Sequence, residues 1–404
     1  MQKRILWSRR RFLGACAASG AVTAAAGRTR AAAAERNHLD RFEHYEDEQT
    51  GARVYRLTPG PQRDDIIYQT HPMWTPNRDI LVFKSDRTSG NMAPHGLDMR
   101  TGEVHPLLPE AKGGDFTLTH RGADVFWLDG RDVFTAQVQA LLTGNAEPRR
   151  IAALPGAAQS TLGMLSVDAN EAALYTGALF EADKKWGIIG LDLKTGAWDI
   201  LCETGFQVGH VQANPERSGL VLFCHETGGF AEQRTWLLDV SKRTYRPFYV
   251  STSREWVTHE VWWGGGQVLF TVWPYDDEHR NQAHGVFLAD LDGKAATVVQ
   301  YAAWHTHGSP DKRWIMGDDF DRNIWLAAAG THEKRLLTQG HKGRDFETHP
   351  HGSFTPDSRG MVFNSSKFGT EDILLVQLPR HSAQDSAMRR HFWRMSRARV
   401  KQAR

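Results

Sequence analysis

Near the end of this 404-residue chain, the segment "THPHGSF" (348–354) sets His349 and His351 at alternate positions around Pro350. In an extended strand alternate side chains point to one face. Two imidazoles held that way suit a transition-metal ion, which binds through the neutral ring nitrogen, or an acidic ligand. The pair is not isolated. His305 and His307 repeat the arrangement in "HTHGSPD", and single histidines stand at His71, His120, His210 and His259. Taken in order, His71, His120, Met164, His210, His259, His305 and His349 recur at intervals of about 46 residues, within the range of repeat architectures.

The elements that must position these residues are short apolar runs: "ILVFKSD" (80–86), "DVFWLDG" (124–130), "AALYTGA" (172–178), "LVLFCHE" (220–226), "QVLFTVW" (267–273), "RWIMGDD" (313–319) and "GMVFNSS" (360–366). Each follows a turn such as "TPNRD", "NPERSG" or "TPDSRG" and leads to a further strand such as "TWLLDVSKRT" or "DILLVQL". Four strands joined in this way form the blade of a propeller. The expected fold is therefore all-β, a seven-bladed β-propeller. The seventh unit ends at Leu378 after three strands, and "ARVYRLT" (52–58) has the character of the missing fourth. Pairing of the two would close the ring and remove its open edge. The first strand of each blade lines the central channel, so the histidines are expected to ring one mouth. Antiparallel geometry returns the end of each second strand to that mouth, bringing His225 there, with Gln233 and Arg234 opening the next strand. Lys84, Asp86, Trp273, Asp318 and Asp319 complete the expected rim.

Residues 1–34 read as a twin-arginine export signal: Arg9 and Arg10 stand before Phe12 and Leu13, and an Ala- and Gly-rich stretch follows. Cys16 lies too close to the arginines for a lipoprotein signal, and no later segment has an apolar run long enough to cross a bilayer. No stable membrane anchor is expected. The twin-arginine machinery is the expected export partner and the periplasm the expected location. Residues 35–379 form the propeller, and 380–404 a basic, solvated tail. The chain carries 49 Lys and Arg against 47 Asp and Glu, but the basic excess sits at the two ends, leaving the propeller body near −12. Such a body excludes a nucleic-acid partner. Cys202 and Cys224 are too few for a disulfide framework and lack metal-site spacing.

The strings "HVQ" (210–212), "FCHE" (223–226), "THEVWW" (258–263) and "HPH" (349–351) resemble the oligogalacturonate lyases, seven-bladed propeller enzymes of polysaccharide lyase family 22. The resemblance runs from about Ala52 to Leu378. It implies a divalent metal, typically manganese, held by His259, His349, His351 and a glutamine. The glutamine position is Phe346 here, so water, substrate or Glu347 would take that place. It also implies His225 as the base that removes the C5 proton of a uronate, after which the C4 oxygen leaves. The implied substrate is a small acidic oligosaccharide, a pectin fragment. In an acidic body the positive charge to bind it is expected from the metal and from Arg234 or Arg254, with His210 and Gln212 positioning its hydroxyls or carboxylate. Two other readings account for part of the pattern. A non-enzymatic propeller binding a protein or peptide explains the repeats and the export but not the histidines. A lyase for a different uronate would use Phe346 to stack on a sugar ring.

Overall fold

The computed structural model describes residues 39–108, 115–180, 184–227, 231–274, 283–300, 303–342 and 348–378. The export signal, Phe346, Glu347 and the basic tail lie outside the described residues. Seven antiparallel sheets follow one another along the chain, six of four strands and one of five, with one short helix, Val138–Leu142, among the described residues. The second strand of each sheet is covered on both faces by its neighbours. Continuous apolar runs suit that position better than alternation. Leu81, Val82 and Phe83 in blade one, and Met361, Val362 and Phe363 in blade seven, are fully buried.

The turn after each innermost strand fixes its register. Gly122, with φ of 68°, takes a left-handed conformation there, and a Cβ would run into the Trp74 carbonyl. Each turn is closed by a backbone hydrogen bond: from Thr75 N to Ile80 O, Thr119 N to Asp124 O, Asp168 N to Ala173 O, Asn214 N to Leu220 O, Trp263 N to Gln267 O, Ser309 N to Trp314 O and Thr355 N to Gly360 O. Four residues before each donor stand His71, Asp115, Met164, His210, His259, His305 and His351. The expected ring is thereby corrected at two positions. His120 lies beyond its mark, where its ring Nε2 meets the Val167 carbonyl at 2.8 Å, and Asp115 holds the equivalent place. In blade seven the equivalent residue is His351, and His349 precedes it by two.

Blade seven draws on both ends of the described chain. Arg53–Arg56 pairs antiparallel with Asp372–Gln377, Val54 opposite Val376 and Tyr55 opposite Leu375. Glu43–Glu46 adds a fifth strand outside it. Its sequence, EHYE, has no apolar run and gave no signal as a strand. Arg56 clasps both oxygens of Asp372, Nε to Oδ2 at 3.0 Å and Nη2 to Oδ1 at 3.1 Å. Asp47 ties the same segment to blade six through the Gln339 amide (3.0 Å) and the Thr338 hydroxyl (3.2 Å).

Val54, Tyr55 and Leu57 are buried, and each contributes about 1.5–3 kcal/mol of apolar burial. Together they approach the whole stability of a domain. A chain lacking residues 48–60 should lose roughly 10 °C or more in a thermal melt, or lose its cooperative transition. Arg53→Ala, at an exposed ion pair with Glu46, should melt close to the full chain. Equal melting of all three would refute this account of the seventh blade.

Candidate active site

A cavity of about 360 Å³ opens at the channel mouth, lined by His71, His210, His259, His305, His349 and His351, with Tyr68, Met164 and Trp304 between them. His305 is central. Its ring lies 4.2 Å from that of His259, 4.4 Å from His351 and 5.4 Å from His349. Tyr68 meets His351, His210 and His305 edge-on at 5.0, 5.5 and 6.4 Å.

The backbone turns these rings inward at a cost. His210, His259 and His351 have φ of 47°, 56° and 48°. In blades four and five the register shifts at these residues, between Gly209 and Gln212 and between Thr258 and Val261. A bulge of this kind re-aims a side chain. A left-handed residue other than glycine costs about 1–2 kcal/mol, and such strain persists where the surroundings over-determine it.

Burial sets the protonation of the cluster. Desolvation pushes His71 down to about 3, and it lowers His210, His259, His305 and His351 as well, with neighbouring imidazoles adding to the effect at His259, His305 and His351. These rings are neutral and present lone pairs. His305 is anchored by Asp318, which accepts from its backbone N–H at 2.6 Å and meets ring Nδ1 at 2.9 Å, leaving Nε2 for the cavity. A carboxylate behind an imidazole is the arrangement that orients metal-binding histidines. Burial raises Asp318 to about 7. Nδ1 of His210 and Nδ1 of His259 are buried with no hydrogen-bond partner. Unpaired buried nitrogens are costly unless a ligand meets them.

Several residues expected at the substrate stand elsewhere. Arg234 is buried, its Nε donating to Glu260 Oε1 at 2.8 Å, and Gln212 Nε2 donates to the Glu260 carbonyl at 2.8 Å. They form a layer behind the cavity wall and do not line it. Arg254 lies in an exposed turn, its N–H bonded to Thr252 Oγ1. His225 does not line the cavity, and its ring lies 4.5 Å from Phe206. Its neighbours Cys224 and Glu226 instead approach His210. His210, Cys224 and Glu226 are the only three metal-capable side chains, among the described residues, whose donor atoms all lie within 4.8 Å of one another. Arg234 Nη1 lies 4.0 Å from Glu226, and burial keeps the Cys224 thiol protonated. His305, His349 and His351 are spread more widely.

Sequence reasoning overlooked Tyr68 and Arg322. Tyr68 lies outside the histidine repeat. Arg322 follows the polar turn "DDFD" and reads as loop, yet it is buried, with Nη2 3.2 Å from His349 Nε2 and Nη1 donating to the Phe320 carbonyl. Arg322 makes no salt bridge among the described residues.

No family model matches the chain. A segment of 215 residues is 23% identical to the oligogalacturonide lyase of Pectobacterium atrosepticum, and one of the same length is 23% identical to the oligogalacturonate lyase of Dickeya dadantii. Each match covers 48% of this chain and 55% of the relative, so the chain spans about half the length of the curated relatives it matches. A solved oligogalacturonate lyase in complex with manganese has a TM-score of 0.74 at 22% identity, covering 84% of this chain and 96% of its own. The chain is similar to the oligogalacturonate lyases. An oligogalacturonate lyase from Vibrio parahaemolyticus gives the same TM-score at 20% identity, over 84% of this chain and 97% of that one. The likeness to the oligogalacturonate lyases shows the seven-bladed fold.

The Arg234–Glu260 pair is 2% exposed on both sides. Removing one partner of such a pair leaves a buried charge unmatched and costs about 3–5 kcal/mol. Arg234→Met should therefore destabilise strongly in denaturant titration, while Arg234→Met combined with Glu260→Gln should recover most of the loss. A single variant that unfolds like the wild type would contradict the structural role.

Proposed function

We propose that the protein is a metal-dependent lyase that cleaves short oligogalacturonides by β-elimination, leaving 4,5-unsaturated uronate ends. The observation that carries this reading is the convergence of neutral imidazoles around His305 in one cavity. Support comes from the fold, which resembles that of a manganese-bound oligogalacturonate lyase. The donor set fits a divalent transition ion: His305, oriented by Asp318, would hold it, with His349 and His351 beside it. When bound, the ion would neutralise the C6 carboxylate and so lower the cost of charge developing beside it.

The protein's own groups then divide the proton transfers. We assign the base to His259 in place of His225. It borders His305, lines the cavity, and burial keeps it neutral. It takes the C5 proton, the electron pair becomes the C4–C5 double bond, and the C4–O bond breaks. Tyr68, held protonated by burial, faces the same cavity and supplies a proton to the departing oxygen. Arg322 offsets the charge of an acidic sugar within a body that is itself acidic. We further propose that the protein works in the periplasm after twin-arginine export. The support is the Arg9–Arg10 pattern with its Ala-rich sequel, and no described helix is long and apolar enough to cross a membrane.

Protein purified without chelator should carry about one equivalent of a divalent transition metal, and it should generate unsaturated-uronate absorbance from digalacturonate. His259→Ala should lose about 10²–10⁴ in rate while keeping its metal. His305→Ala should lose the metal, and His225→Ala should stay near wild type. An inactive His225→Ala beside an active His259→Ala would return the base role to His225. Full activity after exhaustive chelation would remove the metal from the mechanism.

A further inference from the structure

A second group of donors stands beside the cavity on blade four. Cys224 gives its S–H to Glu226 Oε2 at 3.5 Å, and His210 Nε2 lies 3.6 Å from the same oxygen. The ligand atoms of the three residues all fall within 4.8 Å of one another. A zinc-like ion holds sulfur at about 2.3 Å and nitrogen or oxygen at about 2.0–2.2 Å, which sets tetrahedral edges of about 3.3–3.6 Å between its ligands. The two separations to Oε2 already have that length.

The local backbone makes the approach possible. Gly209 pairs opposite Cys224, and the register shifts immediately after it, at the left-handed His210. A Cβ on Gly209 would stand 2.4 Å from Glu226 Oε2, so the bare backbone there is the cradle in which the carboxylate lies. The two carboxylate oxygens have different neighbours. Oε1 faces Arg234 Nη1 at 4.0 Å, whereas Oε2 is the one that meets the thiol and the imidazole. Cys224 is buried, and His210 lines the cavity. Tyr68 reaches both donor groups, edge-on to His210 at 5.5 Å and to His351 at 5.0 Å.

We propose that His210 Nε2, Cys224 Sγ and Glu226 Oε2 form a second metal site, selective for a thiophilic divalent ion of the zinc class and distinct from the imidazole set around His305. The proton between sulfur and Oε2 is released to water as the ion takes its place. A dication, a thiolate and a carboxylate then give a site of zero net charge. The sulfur ligand favours zinc or cadmium over manganese. Three ligands beside a guanidinium make a weaker site than a closed four-ligand one, so it fills on exposure to added zinc. The fourth position opens to the cavity at His210, where a bound ion holds a sugar carboxylate away from the His305 set. The consequence is inhibition by zinc. The site itself is independent of the lyase reading, and its effect on turnover rests on that reading.

The test uses the full chain with Cys16→Ser and Cys202→Ala, in which Cys224 is the one remaining thiol. Loaded with manganese and titrated with cadmium chloride, this protein should develop the ultraviolet sulfur-to-cadmium charge-transfer band, saturating at about one equivalent. Zinc should displace the band and manganese should not. Cys224→Ser should abolish it, and His305→Ala should keep it. His210→Ala and Glu226→Gln should each raise the cadmium Kd at least about tenfold, since even a residue that only orients a ligand costs that much when lost. No band in excess cadmium, or a band that His210→Ala and Glu226→Gln leave equally tight, would overturn the site, the second because the thiol would be acting alone. Zinc should also slow digalacturonate cleavage, and Cys224→Ser should raise the zinc concentration for half-inhibition at least about tenfold, each protein measured against its own zinc-free rate. Equal inhibition of the two would overturn the inhibitory role. If neither protein cleaved digalacturonate, the lyase reading would fail separately, and the cadmium band alone would decide the site.

Discussion

Antiparallel pairing of Arg53–Arg56 with Asp372–Gln377 brings the two ends of the ring together, and the geometry of the mouth depends on it. Blade seven carries His349 and His351, blade six His305 and Asp318, and blade five His259. The first of these is held directly across the join. Asn364 in blade seven accepts from the Ile66 amide of blade one at 2.9 Å and donates to the His349 carbonyl at 3.2 Å. Thr348, just before His349, donates to Glu371, whose other oxygen pairs with Arg63. The supports of the histidine pair thus lie on both sides of the junction between blades seven and one.

The cavity is built from groups that tolerate burial when neutral. Withdrawing a charge from water is far more expensive than withdrawing an uncharged imidazole, and desolvation keeps the rings unprotonated. Of the charged groups buried nearby, Arg234 meets Glu260, and burial raises Asp318, beside the neutral His305, to about 7. Arg234 stands in the wall with its guanidinium engaged by Glu260. Arg322 is also buried, its Nη2 3.2 Å from His349 Nε2, and it makes no salt bridge among the described residues.

The propeller was legible in the sequence because its apolar runs and turns repeat locally, and each blade is a local structure. The mouth was only partly legible. Counting intervals picked out His120 and His349, whereas the turn hydrogen bonds place Asp115 and His351 at the equivalent register. A regular period cannot register a bulge, and the bulges at His210 and His259 override the alternation that arguments about strand faces assume. His225 ends its strand as expected, while its ring lies against Phe206 and outside the cavity lining. Arg322 and the strand Glu43–Glu46 carried no local signal, since one depends on a turn conformation and the other on a sheet edge.

Strain and unmet hydrogen-bonding capacity fall together in this molecule. Among the described residues ten other than glycine have positive φ, and seven of them lie in turns and loops that do not line the cavity. The remaining three, His210 and His259 within strands and His351 just before one, stand at the same register and line one cavity. Glycine would relieve each at little cost to packing in a cavity, and two of the three also bury a ring nitrogen with no partner. A propeller shaped by stability alone would carry neither burden. Both burdens have a physical rationale if the ring nitrogens meet a ligand, because binding then repays at the mouth what folding spends there.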